Sequence, residues 1–308
     1  MTQKSVNREY QSNQFRHLSH SFTLWLDTLG YAPHTVKLNR WCMDEFFAFL
    51  ELQDITQLKA FENNMLNSYL EHLNHRPNCI RKGSLSAAYI NKQMTALRLF
   101  SKYLQQSGKA TLPLKPELLK TNGTATFLTR EEIIQLFKTA SDLRNIYHQR
   151  DTAMLSVFYG CGLRASEGAA LNLNDLLFER ELIYVRKGKN YRERYVPMNP
   201  QVKSSLQEYI THQRTPLLNG KKSDALLISR NGTRWSKQGM YNRLQLLKYQ
   251  TNNEALKQKS FGLHILRHSI ATHLLQGGMK LEFISQFLGH KSLETTQKYT
   301  HLIKSDGF

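Results

Sequence analysis

The feature that most constrains this chain is the apolar spacing of its first third. Large apolar residues recur three or four positions apart there, the period of a helix with one buried face. Phe15, Leu18, Phe22, Trp25 or Leu26, and Leu29 make one such run, which Gly30 stops. Val36, Trp41, Met43, Phe46, Phe47 and Leu50 make the next, entered through Ala32-Pro33-His34-Thr35. A further run spans about residues 61–73, and another runs from about Ser86 to Gln106 through Tyr89, Ile90, Met94, Leu97, Leu99, Phe100 and Leu104. Residues 75–83 between them read as a basic loop. No alternating stretch interrupts these runs. Residues 14–107 are therefore expected to form a small helical bundle that buries one stripe of each helix.

Residues 108–127 scatter Pro113, Pro116 and Gly123 among Thr and Lys, the composition of a linker. A second domain is expected over residues 128–308. Thr129-Arg-Glu-Glu132 is a capping box ahead of an amphipathic helix carrying Ile133, Ile134, Leu136 and Phe137. Asp151 to Phe158 reads as a buried helix. Strand signals are confined to this half. Leu182 to Val185 alternates, a cationic tip follows, and Arg194-Tyr-Val-Pro197 returns, which is a hairpin pattern. A third short strand is expected at Ala225 to Ser229, and a basic helix from about Ser236. The fold class is thus mainly α with a small antiparallel β-sheet: a helical bundle followed by a mixed α/β domain.

Charge narrows the partner. The 308 residues hold 42 Lys and Arg against 24 Asp and Glu, a net charge of +18. Such an excess, spread along the chain, suits a protein that neutralises phosphates. A polybasic membrane binder would cluster its cations beside an anchor. No apolar run approaches the ~20 residues of a membrane span, and no signal-peptide core follows Met1. A nucleic-acid partner and a cytoplasmic location are expected. Lys37, Arg40, Arg81, Lys82, Lys92, Arg98 and Lys102 are candidate phosphate contacts in the bundle. Cys42, Cys79 and Cys161 fit neither a disulfide framework nor a zinc spacing, and no metal site is expected.

The chemistry-bearing residues lie in the second half. His264 and Arg267 are one helical turn apart and can share a face. Gly277-Gly278 closes that helix. Phe283, Ile284, Phe287 and Leu288 then lead to Gly289-His290, and Tyr299 follows. Upstream, Gly160-Cys-Gly162-Leu-Arg164-Ala-Ser-Glu167 sets Arg164 at the mouth of a helix, where its planar fork can take two phosphate oxygens. Cations, imidazoles and a phenol together suit an anion under nucleophilic attack. His268, His273 and His301 read as capping or core histidines.

At these residues the chain resembles a known family. His264-x-x-Arg267, then Leu288-Gly-His290-x-Ser-Leu-x-Thr-Thr-x-x-Tyr299-Thr-His301, is similar to the C-terminal signature of the tyrosine recombinases, the phage-integrase family. Gly162-Leu-Arg164-x-Ser-Glu167 resembles that family's first arginine box, and Gly188-Lys189 through Val196-Pro197 its β-hairpin. Thr35 to Leu38 and Leu97 to Leu104 echo helices of its SAM-like core-binding domain. The resemblance implies a site-specific DNA recombinase of the two-domain type. Tyr299 would be the nucleophile that forms a 3′-phosphotyrosyl link. Arg164 and Arg267 would clamp the scissile phosphate, and His264 and His290 would assist at the phenol. Lys189, or Lys187 one register away, would be the general acid. Glu167 would orient the cations.

The resemblance also implies double-stranded DNA as partner, a tetramer on two DNA sites, accessory proteins in some relatives, and neither cofactor nor metal. Integration, inversion and resolution all remain open. So do a type IB topoisomerase and a catalytically silent DNA-binding protein on the same fold. Two departures stand out. Gly168 occupies a position where relatives more often have an apolar residue, a matter of packing. Nine residues follow Tyr299, fewer than in many relatives, which leaves open how protomers interlock.

Overall fold

The computed structural model describes residues 8–60, 64–79, 83–109, 118–119, 127–186 and 193–289. Arg81, Lys82, Lys187, Lys189, His290, Tyr299 and His301 lie outside the described residues. The chain divides into two compact units, Met1–Gly123 and Thr124–Phe308.

The first unit contains α1 (Asn13–Thr28), α2 (Pro33–Glu51), α3 (Asn64–His75) and α4 (Ala87–Gln106). Local signals set their ends. The hydroxyls of Ser12 and Ser86 each accept from a backbone N–H three residues on, at 3.2 Å, and Pro33 opens α2 where its missing N–H costs nothing. Gly30, at φ +74°, turns the chain out of α1. The core is aromatic. Phe15 stacks on Phe47 with ring centroids 4.6 Å apart, and Phe22 and Phe47 both meet Phe100 edge-on. Burying each such ring stabilises by roughly 1.5–3 kcal/mol. One buried charge crosses this core: Glu45 accepts from Arg76 (2.6 Å), Tyr89 (2.7 Å) and Gln93 (2.9 Å). That pairing offsets its desolvation and pins the base of the loop after α3, where Pro77 bridges to Ser84.

Two residues of the apolar pattern are not core. Leu29 is half exposed because α1 ends one residue earlier. Trp41 is also exposed. Cys42 and Met43 take the buried arc of α2 instead, and the Trp41 ring carries Arg8 and Lys37 at 5.2 and 4.8 Å, a cation–π arrangement that tolerates water.

The second unit opens with α5 (Arg130–Ala140), whose capping box is formed: Glu132 N donates to Thr129 Oγ1 and Thr129 N to Glu132 Oε2. Then come α6 (His148–Leu155), a π-helical turn over Ser156–Gly160, and α7 (Ala165–Ala170). Strands β1 (Leu176–Leu177), β2 (Leu182–Val185) and β3 (Arg194–Pro197) follow, then α8 (Pro200–Glu208), α9 (Thr215–Leu218), α10 (Lys237–Gln250), α11 (Glu254–Gln258), α12 (Leu263–Gln276) and α13 (Leu281–Leu288). The sheet is antiparallel in the order β1-β2-β3, with Ile183 opposite Val196 and Val185 opposite Arg194. Mainly helical units with one small antiparallel sheet are what the periodicities imply. No described helix is long and apolar enough to cross a membrane.

The third strand differs from expectation. It is Leu176–Leu177, not Ala225 to Ser229. The latter segment is buried, but its backbone is divided among partners: Leu226 N donates to Leu171 O, Ile228 N to the Tyr209 hydroxyl, and Trp235 N to Leu227 O. Isolated bridges to Asn172 and Arg234 on different segments cannot build a ladder. The apolar run reports burial, which a strand and a pinned loop share.

Candidate active site

The site forms where α7 begins, α12 begins and α13 ends. After the π-helical turn, Gly162 takes φ +58°, and a Cβ there would come within 2.9 Å of Leu288. That close approach brings the loop ahead of α7 against α13. Arg164 is the N-cap of α7. Its backbone N donates to Glu167 Oε2 at 2.9 Å and its Nη1 to Glu167 Oε1 at 2.8 Å. Gly168, the departure noted above, lies against Phe158: a Cβ would sit 2.5 Å from that ring, so packing requires glycine.

Arg267 comes from the first turns of α12 and is almost wholly buried. Its Nη1 donates to Gly162 O and its Nη2 to Leu288 O, both at 2.6 Å. Arg164 reaches the same helix end, with long contacts of 3.5 Å to Leu288 O and Gly289 O. Arg194, at the start of β3, donates through Nε to Phe287 O at 3.2 Å. The last carbonyls of a helix lack partners within it and carry its negative dipole end. Three arginines satisfy those of α13. Glu167 lies among them: it also takes both Arg194 nitrogens, at 3.1 and 3.0 Å, and stands 3.8 Å from Arg267. Burial works to raise the Glu167 carboxyl, but hydrogen bonds from Arg194, the Arg194 charge and bonds from Arg164 outweigh it and bring the pKa down to about 2. Glu167 is therefore ionised at any working pH, and the cluster carries a net positive charge.

His264 sits one turn ahead of Arg267 on α12, open to solvent on one side and covered on the other. Its pKa is held below 6.5 by partial burial of the ring and then by Arg267 and Arg164, against a smaller opposing pull from Glu167. The imidazole is accordingly neutral at pH 7 and able to accept a proton. A group whose folded pKa is lowered keeps its neutral form further as pH falls, so His264 should charge at lower pH than an unperturbed imidazole. Arg164→Gln removes a repelling charge and is expected to raise the His264 pKa; Glu167→Gln removes an attracting one and is expected to lower it. Titration of the imidazole proton resonances by NMR measures both, and shifts in the opposite directions would reject this account of the field.

Of the sequence candidates, Arg164, His264, Arg267 and Glu167 thus meet in one place. Lys189, its alternative Lys187, His290 and Tyr299 lie outside the described residues, although Gly289, whose φ of +64° caps α13, leads directly to His290. His273 is remote: it is buried and bonds the Tyr159 hydroxyl at 2.9 Å. A groove of about 570 Å³ lined by residues that include Ile134, Phe137, Tyr159, Val202, Ile270 and His273 holds none of Arg164, Glu167, His264 and Arg267. Of the expected phosphate contacts, Lys37, Arg40, Lys92, Arg98 and Lys102 are all exposed. Arg194 was not singled out in the sequence. A signal existed: strand alternation puts residue 194 on the same face as the buried Val196, and a charged residue on a buried face needs a partner.

Comparison with known proteins gives the family. The profile of the Phage integrase family matches residues 126–305. Tyrosine recombinase XerC of Oceanobacillus iheyensis is 31% identical over 282 residues, covering 89% of this chain and 87% of that protein. Tyrosine recombinase XerD of the same organism is 30% identical over 291 residues, covering 86% and 95%. The crystal structure of XerH site-specific recombinase bound to a palindromic difH substrate, a post-cleavage complex, superposes with a TM-score of 0.73 at 21% identity, covering 97% of this chain and 96% of that one, and is a likeness of fold.

Proposed function

The chain belongs to the phage integrase family, whose tyrosine recombinases cut and rejoin DNA, and from that premise we propose that it exchanges strands between two specific DNA sites through a 3′-phosphotyrosyl intermediate. The observation that carries the proposal is the meeting of Arg164 and Arg267 around Glu167 at the end of α13, directly before His290. Sequence similarity to recombinases over most of the chain, helical bundle included, favours partner exchange over simple relaxation of one duplex.

In this reading the Tyr299 oxygen attacks the scissile phosphorus. The bond from phosphorus to the 5′ oxygen breaks, and Lys189 protonates the departing 5′ oxygen. The phenol proton leaves toward the neutral imidazole side, where His264 and His290 accept hydrogen bonds. Arg164 and Arg267 take the non-bridging oxygens, whose negative charge grows in the in-line transition state. Low exposure strengthens that attraction because little water competes. The phosphotyrosine keeps the phosphodiester energy, so a 5′-hydroxyl from the partner strand can reverse the step without ATP. Exposed cations on α2 and α4 would hold the duplex backbone. Four protomers would assemble on two sites, with accessory proteins where a system demands directionality. A DNA substrate is in keeping with a cytoplasmic location.

Covalent trapping tests this. A nicked duplex is built on a site that the protein selects from a randomised pool, so that cleavage releases a short fragment and cannot reverse. A denaturant-stable adduct joined through a 3′-phosphate to the peptide containing Tyr299 is the expected product. Tight binding of that site with no adduct would replace the proposal with a silent DNA-binding role.

A further inference from the structure

Arg194 is the arginine of the cluster to which the reaction just described gives no task. Its side chain is 9% exposed, yet it stands on a short strand, paired opposite Val185. Its two terminal nitrogens take the two oxygens of Glu167 in parallel, at 3.1 and 3.0 Å, the strong fork geometry of arginine with carboxylate. Its third donor, Nε, goes to Phe287 O at 3.2 Å. The room for it is made by Gly289: a Cβ there would lie 2.7 Å from Arg194 Cδ. A side chain at the C-cap of α13 would thus collide with Arg194.

Glu167 is shared. Arg164 holds it from α7 and Arg194 from β3, with Arg267 at 3.8 Å. A buried carboxylate with one fork partner removed would turn to the nearest remaining cation. Here those cations are the two arginines assigned to the phosphate. Arg164 already bonds Glu167 Oε1 at 2.8 Å; released from Arg194, the carboxylate would close on Arg267 as well, offset more of the charge of both and draw their guanidinium groups away from the oxygens they have to meet.

We propose that Arg194 is a positioning residue: it occupies Glu167 and the end of α13, so that Arg164 and Arg267 keep their orientation and charge for the scissile phosphate. The proposal rests on the recombinase reading above. Arg194 itself touches no reacting atom.

The test compares single-turnover cleavage of two nicked duplexes by the full chain. One carries the ordinary scissile phosphate; the other has sulfur in place of a non-bridging oxygen, tested for each oxygen in turn. Sulfur accepts hydrogen bonds poorly, so an aligned clamp should slow by about tenfold on one of the two positions. Arg194→Met is expected to lower cleavage of the ordinary phosphate about 100-fold while site binding stays within about threefold, and to shrink the sulfur penalty toward onefold, because the contact is already lost. Arg194→Lys, which keeps the charge without the fork, should fall between, and serves alone if the methionine variant does not fold. A sulfur penalty equal to that of the unaltered protein would mean that only folded fraction had changed, and would overturn the proposal. So would cleavage within threefold of normal. Arg164→Ala separates the two levels: if it keeps the full sulfur penalty at both positions, the clamp reading itself fails; if it loses the penalty while Arg194→Met retains it, only the role of Arg194 fails.

Discussion

Tyr299→Phe is expected to abolish the covalent adduct, a loss on the order of 10⁴-fold or more, while the variant binds its site within about threefold of the unaltered protein. The expectation follows from what the change removes. Phenylalanine keeps the ring and loses one oxygen, so packing is nearly conserved. The rest of the site can polarise the phosphate but cannot supply a tethered nucleophile. A phenol with a pKa of ~10 is a poor nucleophile at pH 7, and in the proposed reaction the positive cluster around Glu167 would help its attack by favouring the anionic forms of both phenol and transition state. Without the phenol that field acts only on water, which yields hydrolysis rather than a protein–DNA link. Gel electrophoresis under denaturing conditions reads the adduct, and native gels read binding. An adduct that persists in Tyr299→Phe would assign the nucleophile to another residue.

Much of the fold was legible because its signals are local. Gly30 and Ser86 bound helices by their own backbone and side-chain chemistry, and the Thr129 box forms from residues three apart. The hairpin of Leu182 to Val185 with Arg194 to Pro197 could be read from alternation, and in it Ile183 stands opposite Val196. What failed depended on tertiary partners. Ala225 to Ser229 has the composition of a strand, but its backbone donors and acceptors are taken by the loops around Leu171 and Trp235. Trp41 obeys helical spacing and still faces outward, since two cations can cover an indole where the core has no room. The site divides the same way. His264 and Arg267 share a helix, so their proximity could be read from spacing. Arg164, Arg194 and the end of α13 are far apart in the chain, and only packing shows that they enclose one carboxylate. The resemblance to recombinases supplied Arg164; nothing comparable drew notice to Arg194.

The two clamp arginines are expected to separate by stability rather than by rate. Arg164→Ala and Arg267→Ala should each slow cleavage by about 10³-fold, the scale of removing a preorganised charge donor from a transition state. Their surroundings differ. The Arg164 side chain is 13% exposed and its bonds run mainly to Glu167 within its own helix turn. The Arg267 side chain is 5% exposed and joins two segments, donating to Gly162 O and Leu288 O. Losing it takes the 2.6 Å donor from Gly162 O, leaves Leu288 O with the long 3.5 Å contact from Arg164, opens a cavity and removes a cation from beside Glu167. Those losses should cost roughly 2–4 kcal/mol. In a unit of this size that lowers the melting temperature by roughly 5–15 °C, whereas Arg164→Ala should melt within a few degrees of the unaltered protein. Arg267→Lys restores charge but reaches only one of the two carbonyls well, so it should recover part of the stability and little of the rate. Calorimetry beside single-turnover cleavage distinguishes the cases. Equal melting temperatures for the two alanine variants would mean that Arg267 does not tie the loop ahead of α7 to α13, and that the phosphate site is assembled by some other contact.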